Sequence, residues 1–225
     1  MLRKSSIKGQ KVDIVIARPR ASRSIAYKNA ETSLSEMVWA LGRAGYSVGF
    51  SEEYGSDIGG NRDKNVDAAR TVEAKWLFTL DDDMMMPEDT ILRLMKRDKS
   101  IVSGLYFGRQ PPCWPIAYNR IGDEFHNITS WNEQGLTEVD SVGAGCCLIK
   151  MKVFDSIKRP YYTFNEWGEG RISEDTYFCN KAKAVGIPIY IDASISIGHI
   201  GDYPFTVEDY WKYEKYRTGG KKDDR

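Results

Sequence analysis

An excess of either charge is missing from this chain. Its 225 residues carry 32 Lys+Arg against 32 Asp+Glu, so no global basic field exists to hold nucleic acid without regard to sequence. Histidine is scarce, with His126 and His199 only. The four cysteines (Cys113, Cys146, Cys147 and Cys179) contain no C-x-x-C spacing, which argues against a zinc framework and for free thiols in a reducing compartment. No apolar run reaches the roughly 18 residues that cross a bilayer. The basic start (Arg3, Lys4, Lys8) has no apolar segment behind it, so no secretion signal is expected and the protein is assigned to the cytoplasm. Neither an internal repeat nor a low-complexity tract is visible. What remains is ample length for one large globular core.

The most informative stretch that is present is Trp76-Leu77-Phe78-Thr79-Leu80, followed at once by Asp81-Asp82-Asp83. The first five residues read as a strand buried on both faces. Adjacent carboxylates repel, and they gain nothing at a strand end unless a cation or hydrogen-bond donors hold them. Ligands of open α/β sheets bind outside the carboxyl ends of the strands, so the triplet is a candidate site for a hard metal ion carrying a phosphate. The plainer alternative is a solvated acidic loop capping the helix that begins near Glu88.

The rest of the chain supplies the sheet for that strand. Val12–Ala17 is expected to be the first strand, with Arg18-Pro19-Arg20 as a loop at the same edge as the acids. A helix is expected over Ala26–Ala44, stopped by Gly45, then a strand over Tyr46–Phe50, a polar loop to Gly60 and a helix over Asn61–Val72. This alternation of strand and helix predicts a parallel sheet. Beyond Pro87 come a short helix over Glu88–Arg97 and a strand over Ile101–Tyr106. Residues 110–140 break periodicity and read as short antiparallel pieces, Ile116–Tyr118 and Leu136–Val139. A strand at Cys146–Ile149, a helical turn at Met151–Ser156, a strand at Ile189–Ile191 and a helix over Val207–Arg217 complete the pattern. The tail 218–225 is expected to be disordered.

Several further segments carry chemistry. Arg18 and Arg20 are either a phosphate clamp or a solvated turn. Gly143-Ala144-Gly145 enters a strand rather than a helix, so it is not a dinucleotide fingerprint; it marks a bend or a close backbone approach. Tyr161–Arg171 is an aromatic and glycine-rich loop, in which Trp167 is either a stacking face over a sugar or a core anchor, and Gly168 and Gly170 supply freedom. Ser173 is the natural N-cap of a helix running to about Val185. It places Glu174 and Asp175 in a first turn, where the dipole alone would account for their charge. His199, bracketed by Gly198 and Gly201 after a strand, is either structural or exposed at a site.

Taken in order, these segments resemble the GT-A glycosyltransferases, most nearly those of family 2, over Val12 to about Gly201. The carriers are Phe78-Thr79-Leu80-Asp81-Asp82-Asp83, similar to the D-x-D signature, and Asn61-Arg62-Asp63, similar to the arginine-bearing helix start. Gly143-Ala144-Gly145-Cys146-Cys147-Leu148-Ile149 resembles the glycine-bearing strand beneath the sugar. Ser173-Glu174-Asp175-Thr176 resembles the E-D motif of the acceptor-side helix, with His199 at a typical remove. The resemblance implies a three-layer α/β/α sandwich, Rossmann-like, with a mainly parallel central sheet and a small antiparallel acceptor-side portion. It implies a single domain over 1–217, with a nucleotide half at about 11–110 and an acceptor half at about 111–217.

By the same resemblance, Asp81 and Asp82 would face the nucleotide of a UDP- or GDP-sugar, bordered by Arg62, Ala17, Arg18 and Pro19, with Gly143, Ala144 and Gly145 beneath the sugar. Asp83 would ligate Mn²⁺ or Mg²⁺ with His199 as a further ligand, a mixed donor set that suits manganese somewhat better. Asp175 would be the base toward a saccharide or other acceptor hydroxyl, Glu174 would orient it, and Trp167 with Glu169 would form an acceptor-side lid. One departure is the pair of arginines around Pro19, where the family has a polar or small-residue loop. Two other readings stay open. A nucleotidyltransferase acting on a sugar phosphate shares the sheet, although the glycine-rich loop expected after its first strand is missing. A non-catalytic carbohydrate-binding scaffold would use Trp114, Trp131 and Trp167 as stacking surfaces.

Overall fold

The computed structural model describes residues 11–20, 27–167, 170–201 and 203–214. The first strand, β1 (Ile14–Arg20), is enclosed along its whole length. It pairs in parallel with β2 (Val48–Tyr54) on one side and with β3 (Trp76–Leu80) on the other. Helix α1 (Lys28–Arg43) returns the chain from β1 to β2 and buries Leu34, Met37 and Leu41. It ends where Gly45 adopts φ +85°, a conformation a side chain resists. Helix α2 (Ile58–Thr71) returns it to β3 and is capped by the Asp57 side chain, which accepts from the Gly60 N–H at 3.0 Å.

After β3 come β4 (Met84–Met85), α3 (Thr90–Lys96) and β5 (Ile101–Gly104). The irregular middle folds as a hairpin of β6 (Ala117–Ile121) with β7 (Glu124–Asn127), joined by β9 (Ser141–Val142). The intervening β8 (Leu136–Val139) instead closes the far edge of the main sheet. Next, β10 (Cys146–Lys150) inserts antiparallel between β3 and β5, and α4 (Val153–Ser156) follows it. Two short strands, β11 (Asn165–Trp167) and β12 (Gly170–Ile172), pair before α5 (Glu174–Ala184). Then β13 (Ile189–Asp192) runs parallel to β5, β14 (Gly198–Ile200) lies between β4 and β15 (Pro204–Phe205), and α6 (Val207–Lys212) ends the described chain.

The main sheet is thus seven-stranded, in the order β2-β1-β3-β10-β5-β13-β8, with β10 and β8 antiparallel to the rest. One core packs on each face: Val15, Val66, Leu77, Phe154 and Phe178 belong to one, and Ile16, Met37, Phe78, Leu94 and Leu148 to the other. This is a mixed α/β sandwich with a largely parallel central sheet, as expected. All four cysteines are buried, and burial pushes the Cys146 and Cys179 thiols up to about 12, which leaves them inert at neutral pH.

Several boundaries differ from expectation. Arg18-Pro19-Arg20 is strand, not loop. Its pairing with β3 ends at Ala17, so Pro19 has a neighbour only on the β2 side and stands at an edge position, where proline is tolerated. Much of the expected loop after Phe50 is also strand, drawn into β2 by that extended partner. Helix α2 begins before Asn61, so Arg62 sits inside it rather than at its start. Asn165–Trp167 and Gly170–Ile172 form two paired strands rather than an open loop, and Gly168 and Glu169 lie outside the described residues, as does the tail. Among the described residues no helix is long and apolar enough to cross a membrane.

Candidate active site

The carboxyl ends of β1, β3 and β5 open onto one edge, and the antiparallel β10 begins there. Cys146 stands opposite Leu80, and the Asp81 N–H donates to the Gly145 carbonyl at 3.2 Å. The glycine run therefore lies against the acidic triplet, which the sequence separates by some sixty residues. Three neighbouring carboxylates persist here because each meets a different cation.

Asp81 accepts from Arg62 Nη2 at 3.0 Å. Arg62 is buried on α2, and its Nε donates to Glu174 Oε1 at 3.1 Å, so one guanidinium ties the acidic triplet to the head of α5. Burial alone would lower the Arg62 pKa, but the carboxylates of Asp81 and Glu174 outweigh it and keep the group charged. Its Nη1 is buried without a hydrogen-bond partner among the described residues.

Asp82 is held from β1. Arg18 Nη2 lies 3.1 Å from Asp82 Oδ1, and Arg20 Nε lies 3.5 Å from Oδ2. The same arginines also pair with Glu31 of α1 and Glu52 of β2: Arg18 with Glu31 at 2.5 Å and with Glu52 at 3.2 Å, and Arg20 with Glu52 at 3.1 Å. Both are buried, so the arginines flanking Pro19 form a knitted five-charge cluster rather than an open clamp. Ala17 is fully enclosed between β2 and β3, which leaves its side chain to the core.

Asp83 has the most suggestive surroundings. Arg109 Nη1 donates to its Oδ2 at 2.8 Å, and His199 Nε2 lies 3.5 Å from the same oxygen. His199 Nδ1 is 2.8 Å from the Phe107 carbonyl, which can only accept, so that nitrogen carries the ring proton. With the ring neutral, Nε2 presents a lone pair to that oxygen, which a cation would reconcile; with the ring protonated, Nε2–H donates to it directly. Asp83 Oδ1 is buried with no partner among the described residues. Burial would raise the Asp83 carboxyl, but His199 and Arg109 hold it below its ordinary value. Among the described residues no group of three or more His, Cys, Asp or Glu side chains converges, so Asp83 and His199 are a two-donor set that ligand oxygens or water would complete.

Tyr106 connects these parts, and sequence reasoning did not single it out beyond ending a strand there. Its hydroxyl accepts from the Gly145 N–H at 3.1 Å, and its ring meets His199 edge-on at a centroid distance of 5.4 Å. A Cβ at Gly143 would stand 2.2 Å from that hydroxyl, and one at Gly145 would stand 2.9 Å from it and 3.1 Å from Asp81 Oδ2. The close approach expected of the glycines is therefore to Tyr106. Burial, then the charges of Asp81 and Asp175, raise the phenol far above its usual value, so it remains a hydrogen-bonding group.

Ser173 caps α5 as expected, accepting from the Thr176 N–H. Asp175 accepts from the Ser173 hydroxyl and from the Thr176 N–H, the latter at 2.8 Å. The dipole does not dominate: burial, and then the charge of Glu174, raise the Asp175 carboxyl above its ordinary value despite Ser173 and Arg62. Glu174 is buried and committed to Arg62, which leaves it a positioning role. Asp63, next to Arg62, accepts from the Tyr161 and Tyr162 N–H groups at 3.0 and 2.9 Å and so fixes the segment leading into the β11–β12 pair, where Trp167 lies.

No family model and no curated protein matches this chain. Among solved structures it is similar to A197 from STIV, with a TM-score of 0.57 and 18% identity over 84% of this chain and 86% of that one. It is also similar to a mutant of the Drosophila β-1,4-galactosyltransferase 7 in complex with manganese, UDP-Gal and xylobiose. There the TM-score is 0.50 and the identity 13%, over 95% of this chain and 82% of that one. At such identities the likeness speaks to architecture, and the chain has a GT-A-like fold.

Proposed function

We propose that this protein is a nucleotide-sugar-dependent glycosyltransferase that moves a sugar from a UDP- or GDP-sugar to an acceptor hydroxyl. The observation that carries this reading is Asp83 with an orphaned oxygen and His199 Nε2 facing its other one, set at the same sheet edge as the Asp81–Arg62–Glu174 chain. Asp83 and His199 would hold the divalent cation, Mn²⁺ or Mg²⁺. When bound, it supplies neutralisation of charge on the departing nucleoside diphosphate. Arg62, with an unused N–H beside Asp81, borders the nucleotide, and the Gly143–Gly145 run, packed on Tyr106, would lie beneath the sugar.

Asp175 would accept the acceptor hydroxyl's proton as that oxygen bonds to the anomeric carbon and the bond to the diphosphate breaks. A carboxyl raised above its ordinary value is a better base than an ordinary one, provided it is still ionised at working pH. Glu174 would steady the head of α5 through Arg62. Trp167 and Glu169 would lie on the acceptor side, on and beside the β11–β12 pair. The likeness to a galactosyltransferase bound to manganese and UDP-Gal supports this reading at the level of fold.

The reading is tested by incubating the protein with Mn²⁺ and a panel of UDP- and GDP-hexoses and measuring nucleoside diphosphate release with and without saccharide acceptors. Release with sugar transfer or donor hydrolysis is expected. Pyrophosphate release from a nucleoside triphosphate and a sugar phosphate would instead identify a nucleotidyltransferase.

A further inference from the structure

One cavity includes in its lining Phe107, whose carbonyl meets His199. It measures about 280 Å³ and opens between the end of β5, the segment after β13, and α6. Phe107, Trp131 and Trp211 wall it, and Glu133, Gln134 and Glu208 are on its rim. Trp131 and Trp211 form a tilted pair with centroids 5.7 Å apart and planes at 36°, and Tyr210 braces Trp131 at 5.0 Å. Trp131 is half-buried, whereas Trp211 is 44% exposed, so one supported indole face is open.

These features select a ligand chemistry. The cavity has two carboxylates on its rim and no Lys or Arg in its lining, which disfavours phosphates and nucleotides. A cage for an organic cation would need exposed rings on several sides, whereas here Phe107 is buried and Trp131 half-buried, which leaves Trp211 as the exposed ring. One aromatic platform, bordered by carboxylate, amide and hydroxyl groups, matches a neutral pyranose: its C–H face packs on the indole and its hydroxyls bond to the rim. From this we infer that the cavity is a binding site for a neutral saccharide, one to two rings in extent.

The site is coupled by geometry to the candidate active site. Phe107 contributes its ring to the cavity wall and its carbonyl to His199 Nδ1 at 2.8 Å. Trp131 stands between Phe107 and Trp211 in that wall, with ring centroids 5.9 and 5.7 Å apart, so a contiguous row of aromatic side chains joins Trp211 to the Asp83–His199 pair. The cavity's service as a distal grip on the acceptor rests on the transferase reading; binding itself does not.

The test is saturation-transfer NMR of the full chain with lactose, cellobiose and mannobiose, with glucose 6-phosphate and choline as charged comparisons and no nucleotide or metal added. Transfer to the C–H protons of at least one neutral disaccharide is expected. Trp211→Ala, an exposed position whose loss leaves circular dichroism unchanged, should weaken that binding at least about tenfold. Glu133→Ala should weaken it as well, and Asp83→Ala should leave it intact. Absence of transfer to all three disaccharides, undiminished binding by Trp211→Ala, or preference for either charged compound overturns the proposal. Because no donor is present, failure here is distinct from failure of the transferase reading.

Discussion

At the scale of single residues, the acidic triplet is stable because its charges are divided among separate partners. Asp81 goes to Arg62, Asp82 to Arg18 and Arg20, and Asp83 to Arg109 and His199. Only the last set includes a loosely held cation, since the Arg109 side chain is 45% exposed. Arg109 thus occupies an oxygen that a metal ion would use. Such an exposed pair is worth about 0–1 kcal/mol. Arg109→Ala should therefore tighten Mn²⁺ binding by up to about fivefold, read by electron paramagnetic resonance titration of free Mn²⁺. Weaker binding in that variant would instead make Arg109 a partner of the bound diphosphate.

Asp175 allows a prediction of two opposite signs. Its folded pKa is raised, first by burial and then by Glu174, so the folded state favours the protonated form. The stabilising protonation is complete below the unfolded carboxyl pKa and is lost as pH rises through the folded one. At neutral pH the ionised group therefore costs stability. Asp175→Asn should raise Tm at pH 7, with the gain shrinking to nothing as pH falls below the ordinary carboxylate range. The same variant should lower turnover by about 10²–10⁴-fold while donor binding survives. Unchanged kcat at saturating substrates would remove Asp175 from the chemistry.

At the scale of elements, the site depends on β10 entering the sheet backwards. That reversal presents Gly143–Gly145 to Tyr106 and Asp81 with no space for a side chain. Gly143→Ala should cost about 1–3 kcal/mol by overpacking against the Tyr106 hydroxyl and Ile116, measured by urea unfolding. Tyr106→Phe in the same chain should restore part of the loss. Strand direction of this kind is not legible locally: Cys146–Lys150 reads as a buried strand in either sense, and only the excursion through β6–β9 reverses it. The acidic strand end, the Ser173 cap and the glycine approach were legible, since each is a local pattern with a local cause. The partners of Arg18 and the place of Arg109 on Asp83 were not, because those pairs join residues distant in sequence. Pro19 misled for a physical reason: proline usually ends a strand, but here β1 has lost its β3 neighbour by that point.

At the scale of the whole molecule, a neutral chain keeps its charge local. The buried cluster of Arg18, Arg20, Glu31, Glu52 and Asp82 closes the β1–β2 corner. The Asp83–His199 pair and Asp175 lie beyond it, followed by the aromatic cavity at α6. The sheet edge thus runs from a closed ionic corner, past a set of underused polar atoms, to an open stacking face. Among them are Asp83 Oδ1 and Arg62 Nη1, buried without hydrogen-bond partners among the described residues. On the proposed reading, a diphosphate with its cation would meet both.

Isothermal calorimetry of UDP and of GDP, each with and without Mn²⁺, on wild type and Asp83→Ala tests this account most directly. It predicts binding of at least one nucleotide that requires the metal and vanishes in Asp83→Ala, with the variant's unfolding curve unchanged. Metal-independent binding of equal affinity in both proteins, or no binding of either nucleotide, would contradict it.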